Sequence, residues 1–206
     1  VIKAVIFDMG GVLLRTEDLT PRARLAAQLG VTLRELEHLV FSSESSILAE
    51  RGQIPEEAHW AWVCAHLGLP PSACQQFQDQ FWAGDRLDTH LIAFLRSLRP
   101  RLKTALLSNA WSNTRHVVLQ RYDFLDVFDV VIFSAEVGMR KPEAGIFHHI
   151  LSRLEVKPQE AIFVDDLLPN VEAARALGIH AILFRDPKTV LNTLQEILAH
   201  HKVEMA

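Results

Sequence analysis

An α/β fold, a doubly wound parallel-sheet (Rossmann-like) core with an inserted α-helical cap, is predicted by three observations. Five short runs are apolar throughout rather than alternating, as strands covered on both faces are: "KAVIFD" (3–8), "KTALLSN" (103–109), "DVVIFSA" (129–135), "EAIFVDD" (160–166) and "HAILFRD" (180–186). Helical patterns alternate with the later runs. Nearly a hundred residues separate the first run from the second, and they hold helical patterns without a convincing strand.

In chain order, the first strand ends at Asp8 and is followed by Gly10-Gly11. The interval from about 15 to 86 carries four helical patterns, "PRARLAAQLG", "LRELEHLVFSSESSILAERG", "PEEAHWAWVCAHLG" and "PSACQQFQDQFWAG". Gly30, Gly52, Gly68 and Gly84 punctuate their ends, and Pro55 and Pro71 suit helix starts. "THLIAFLRSLRP" (89–100) reads as the return helix, and the cap insertion is expected over 15–86, with 1–14 and 87–206 forming the core. "SNTRHVVLQRY", "EAGIFHHILSRL" and "PNVEAARALG" supply the helices between the remaining strands, the last stopping at Gly178. The tail "LQEILAHHKVEMA" reads as a helix with a frayed end.

The chain has 206 residues, 49% of them hydrophobic and 22% charged, enough for a core of ordinary size. A formal charge of −4 gives no support to nucleic-acid binding by bulk charge. No apolar run approaches the ~20 residues that cross a bilayer, and no signal-peptide pattern is present, so no membrane association and a cytoplasmic location are expected. Cys64 and Cys74 do not form a C-x-x-C pair and are expected to be packed or surface thiols in a reducing compartment.

A single carboxylate at the end of a buried strand requires a partner. In a doubly wound sheet, ligands bind beyond the carboxyl ends of the strands. Here those ends carry Asp8, Ser108-Asn109 and Asp165-Asp166, and "GMRKPEAG" places Lys141 just past another. Such an edge offers a lysine, a hydroxyl and free N–H groups to an anion, and hard oxygen ligands to a divalent cation.

Taken in order, "FDMGGV", "LLSNA", "RKPEAGIF" and "IFVDDLLPN" resemble the motifs of the haloacid dehalogenase superfamily, in its phosphatase branch with a helical cap after the first strand. The cap segment "ERGQIPEEAHW" resembles the subgroup of sugar-1-phosphate phosphatases and the amino-terminal domain of epoxide hydrolases. The resemblance implies a Mg²⁺-dependent phosphatase acting on a small-molecule phosphate ester, sugar phosphates first. Asp8 is then the nucleophile that forms an aspartyl-phosphate. Ser108 hydrogen-bonds the phosphoryl group, helped by Asn109. Lys141 neutralises charge on the phosphate and on Asp8. Asp8, the Gly10 carbonyl and Asp166 hold Mg²⁺, and Asp165 orients Lys141 or a metal-bound water.

One position departs from the family pattern. Most such phosphatases carry a second aspartate two residues after the nucleophile, as general acid and base, where this chain has Gly10. A main-chain carbonyl can still bind metal there, but the proton-transfer group, worth ~10²–10⁴ in rate, is missing. Three consequences follow as alternatives: substrates with good leaving groups, a substitute carboxylate such as Glu17 or Asp18, or a weakened phosphate- or metal-binding protein. Dehalogenation is disfavoured, because Asp165-Asp166 would repel Asp8 without a cation.

The remaining candidates read as structural. His116 is expected at the surface, and the ten histidines show no metal spacing with the site. Trp60 and Trp62, two apart, cannot share a helical face, so one is expected to line the cap cavity and the other to pack. Trp111 is expected to pack near the entrance.

Overall fold

The computed structural model describes residues 1–200. The chain begins in buried strand β1 (Ala4–Phe7), turns tightly and forms the short β2 (Leu14–Thr16). Five helices follow: α1 (Thr20–Leu29), α2 (Leu33–Phe41), α3 (Glu44–Glu50), α4 (Glu56–His66) and α5 (Cys74–Phe81). β3 (Asp85–Leu87) pairs antiparallel with β2, and α6 (Thr89–Leu98) leads back to the sheet. The remainder alternates: β4 (Lys103–Ser108), α7 (Thr114–Arg121), β5 (Val130–Phe133), the single turn α8 (Ser134–Val137), α9 (Ala144–Leu154), β6 (Ala161–Asp165), α10 (Leu168–Ala176), β7 (His180–Leu183) and α11 (Pro187–His200). The last six residues of the expected C-terminal helix lie outside the described residues.

Five strands form a parallel sheet in the order β5-β4-β1-β6-β7. β1 shows why its run is apolar throughout. Ala4 and Ile6 pack with residues of α9 and α10 on one face, while Val5 and Phe7 pack with residues of α6 and α11 on the other. The chain moves from β1 to β4 on one side and later crosses to β6 on the other. β1 therefore sits at the reversal of strand order, where the carboxyl ends open a crevice.

Two local expectations are corrected. The interval between β1 and β4 does contain strands, since the β2–β3 ribbon joins the helices to the core. Three-residue strands are too short to show a period. The long pattern at 33–52 is two helices, because Ser42-Ser43 interrupts it. The Ser43 hydroxyl accepts from Ser46 N and starts α3, as the Thr32–Glu35 capping box starts α2.

The five helices between β2 and β3 bury their own cluster, with Leu36, Val40, Trp60, Val63, Phe77 and Phe81 at its centre. Trp60 packs there, whereas Trp62 is exposed, stacks on His66 and lines a shallow cavity of about 290 Å³ with Leu48 and Ile54. Trp111, from the core loop after β4, inserts into the same cluster, 4.7 Å from the His59 ring, and donates to Ser46. Cys64 and Cys74 are joined in a disulfide, which corrects the expectation of free thiols. Their ten-residue spacing brings α4 and the start of α5 together, a closure worth about 2–3 kcal/mol in chain entropy. Among the described residues no helix is long and apolar enough to cross a membrane.

Candidate active site

Parallel register brings the predicted residues to one edge of the sheet. Phe7 pairs with Leu106 on one side and Val164 on the other, so Asp8 emerges between the end of β4 and the end of β6. Its main-chain N–H donates to Val164 O at 2.8 Å, which continues the ladder through Asp8 itself. Its Oδ1 then accepts from Met9 N at 2.7 Å, so the first residue of the turn orients the carboxylate.

The turn requires glycine at Gly11 for two reasons. Its φ is +77°, and a Cβ there would lie 2.2 Å from an Asp166 carboxylate oxygen. Asp166 thus rests against main chain where any side chain would displace it. Gly10 is different: a Cβ built on it meets nothing within 4 Å, and it is exposed. The position two residues after Asp8, where the resemblance noted above implies a second aspartate, is open space.

Lys141 is 1% exposed, and its ammonium lies 2.8 Å from Asp8 Oδ1 and 2.6 Å from Asp165 Oδ2. Burial alone would lower its pKa; the two carboxylates outweigh burial and raise it. Asp165 is fully buried and saturated. It accepts from Lys141, from Leu167 N at 2.8 Å and, on both oxygens, from Asn170 Nδ2 at 3.0 and 3.1 Å. Asn170 is a site residue that the sequence reading missed; its place five residues after Asp165, in the first turn of α10, was the available signal.

Ser108 is 2% exposed at the end of β4, and its hydroxyl makes one long contact of 3.4 Å to Asn109 O. The Asn109 side chain faces the Lys141 main chain, donating to Lys141 O at 2.9 Å and accepting from Lys141 N at 2.8 Å. It staples the lysine loop to β4, which leaves its own N–H as the part of Asn109 for an anion. The substitute carboxylates are engaged elsewhere: exposed Glu17 pairs with Arg15, and Asp18 accepts from Thr20 N at the start of α1. His116 is exposed, as expected.

Asp8, Asp165 and Asp166 each bring a carboxylate oxygen within 4.8 Å of the others, the one such group of three among the described residues. Burial pushes Asp8 up to about 8, with Lys141 lowering it and the other two aspartates raising it. Burial, then Asp165, pushes Asp166 up to about 6. With all three carboxylates ionised, one ammonium leaves two negative charges in excess; the raised values of Asp8 and Asp166 express the cost of that excess, and a hard divalent cation with oxygen ligands offsets it. The donor set fits Mg²⁺.

The family model of haloacid dehalogenase-like hydrolases matches residues 2–178, and the chain belongs to that family. It is 29% identical over 197 residues to a sesquiterpene phosphatase of Aspergillus oryzae, covering 95% of this chain and 96% of that one. It is 27% identical over 223 residues to a phosphorylated carbohydrates phosphatase of Thermotoga maritima, covering 96% and 100%. Longer curated relatives, bifunctional epoxide hydrolase 2 among them, are matched over only 9–39% of their length. In fold it resembles a haloacid dehalogenase family enzyme of Bacteroides thetaiotaomicron solved with magnesium and inorganic phosphate (TM-score 0.76, 24% identity, 92% and 99% covered). The protein is a hydrolase of that family.

Proposed function

We propose that this chain is a Mg²⁺-dependent phosphatase that hydrolyses small phosphate esters through an aspartyl-phosphate on Asp8. The observation that carries the reading is the excess of two negative charges at the strand ends, in contact with one buried lysine. On this reading Asp8 Oδ2 attacks phosphorus, the ester P–O bond breaks, and water then attacks the phosphoenzyme to release phosphate and restore the carboxylate. Met9 N and Lys141 both hold Asp8 at Oδ1, which orients the carboxylate and leaves Oδ2 to attack. Lys141 offsets charge on the phosphoryl oxygens, and Ser108 and the Asn109 N–H donate to them. Asp165 holds Lys141 in place through an oxygen that Asn170 also binds. Asp8, the Gly10 carbonyl and Asp166 would hold Mg²⁺, which supplies charge neutralisation of the transferring group when bound.

Residues 15–86 would act as the cap, excluding water and selecting the substrate, with 1–14 and 87–206 as the catalytic core. A cytoplasmic setting is part of the reading. Sugar phosphates are the first substrate class, supported by the carbohydrate phosphatase relative; the sesquiterpene phosphatase relative adds apolar esters to the panel. Gly10 favours one second reading, a weakened phosphate-binding or regulatory protein of the same fold. A phosphate-release screen over sugar, prenyl, acyl and aryl phosphates, with and without Mg²⁺, tests the choice. Turnover that needs both Mg²⁺ and Asp8 is expected. Silence across the panel, or turnover that survives Asp8→Asn, overturns the proposal.

A further inference from the structure

The helices between β2 and β3 meet the core on the lysine side of the site through two crossed ion pairs. Glu50, the last residue of α3, accepts from Arg140 Nε at 2.7 Å, and the next residue, Arg51, pairs with Glu143. Arg140 and Glu143 bracket Lys141-Pro142. A negative-positive dipeptide on one unit thus meets a positive and a negative residue on the other, with the active-site lysine between them. The Glu50–Arg140 pair is largely buried, at 11% and 23% side-chain exposure. The main chains also meet here: a Cβ on Gly52 would lie 2.4 Å from Ala135 O. No side chain fits between the two main chains at this point.

Glu50 also senses the site. Burial raises its pKa, Arg140 lowers it, and the Lys141 ammonium is among the charges that act on it. The Lys141 loop is therefore held from two directions, by Asn109 from β4 and by the crossed pairs from the helical unit. A second seat, with Trp111 on Ser46, and Ser112 and Asn113 on Glu56, fixes the Ser108 loop but does not touch the lysine loop.

We infer that Glu50 and Arg51 are positioning residues for hydrolysis: the crossed pairs fix the loop that carries Lys141, so the ammonium stands correctly between Asp8 and Asp165 only while the helical unit is seated. The inference rests on the proposed phosphatase reading. A partly buried pair broken on one side leaves a charge without its partner, and a displaced group near the chemistry costs rate before it costs the fold.

The test compares Glu50→Gln, Arg51→Met and the exchange Arg51→Glu/Glu143→Arg, the last at a pair whose side chains are 35% and 38% exposed and so tolerate the swap. The single variants are expected to lower kcat roughly 10–100-fold with a smaller rise in KM, equally for aryl and alkyl phosphates. The exchange should recover kcat to within about threefold of wild type, since it restores the pair with its charges reversed. Affinity for inorganic phosphate in the presence of Mg²⁺, by calorimetry, is read in parallel and should fall and recover in the same order. Unchanged kcat and phosphate affinity in folded single variants would overturn the inference. So would a loss confined to alkyl phosphates in Glu50→Gln, which would make Glu50 the proton donor instead. If wild type turns over nothing, the phosphatase reading fails, and phosphate affinity alone decides the positioning role.

Discussion

Two buried cations in this protein sit in opposite kinds of charge balance. Arg22, on α1, is 5% exposed and fully engaged: Nη2 lies 2.9 Å from Asp85, Nε donates to Phe81 O, Nη1 reaches the half-exposed Glu37, and the guanidinium lies 4.3 Å from the Phe81 ring. One buried carboxylate answers one buried guanidinium, and Thr16 donates to that same carboxylate. At the strand ends Lys141 faces Asp8, Asp165 and Asp166; the lysine and Asp165 have their partners, while Asp8 and Asp166 carry the surplus negative charge. The difference separates a group that holds the fold from one that awaits a ligand. A balanced pair ties the helical unit to the β2–β3 ribbon; an unbalanced one stores demand for a cation and a phosphate.

The contrast breaks down if the two aspartates respond alike to neutralisation. Asp8→Asn is expected to lower turnover by at least about 10⁴-fold while leaving metal-free stability unchanged or higher, because it removes one of the surplus charges. Asp85→Asn should do the reverse: urea unfolding should show a loss of about 3 kcal/mol from an Arg22 left with only the half-exposed Glu37 as its counter-charge, with turnover per folded molecule retained. The two glycines after Asp8 sharpen the comparison. Gly11→Ala should cost about 1–2 kcal/mol in chemical denaturation and weaken Mg²⁺ binding, since its Cβ falls on Asp166. Gly10→Asp should fold normally and raise rates on alkyl phosphates, whose leaving groups most need a proton. No gain on alkyl phosphates would mean that the open space at Gly10 is not where proton transfer is limited.

The smallest effect expected is in the helical unit, at His59, whose ring nitrogens contact Ser45 and Val40 O. Burial lowers its pKa below 6.5. The unfolded chain then takes up a proton that the folded chain refuses, so stability is full above the unfolded pKa and is lost as pH falls through the folded value. The melting-temperature difference between wild type and His59→Gln should therefore shrink from pH 7 to pH 5, while Asp8 and Asp166, raised to about 8 and about 6, act in the opposite direction in both proteins.

The strand-end residues were legible because each stands at the end of an apolar run, where pattern alone marks a change from burial to chemistry. Asp8, Ser108 and Asp165-Asp166 follow from that, whereas Lys141, in the loop beyond β5 and α8, was marked by the resemblance of "RKPEAGIF" to the family motif. Arg22, Asp85, Glu50 and Arg51 were not legible, because their partners lie 63 to 92 residues away and no local period records them. The disulfide was hidden for a related reason: a ten-residue spacing fits no metal or redox motif, and only the packing of α4 against α5 shows that the two sulfurs meet. The β2–β3 ribbon was too short to see.

The most direct test of the central claim is a Mg²⁺ titration of thermal stability, without substrate, in wild type and Asp166→Asn. The account predicts that Mg²⁺ stabilises wild type, by about 2.7 kcal/mol at a concentration 100 times the dissociation constant, and leaves Asp166→Asn unmoved. No shift in wild type, or an equal shift in both proteins, would contradict it.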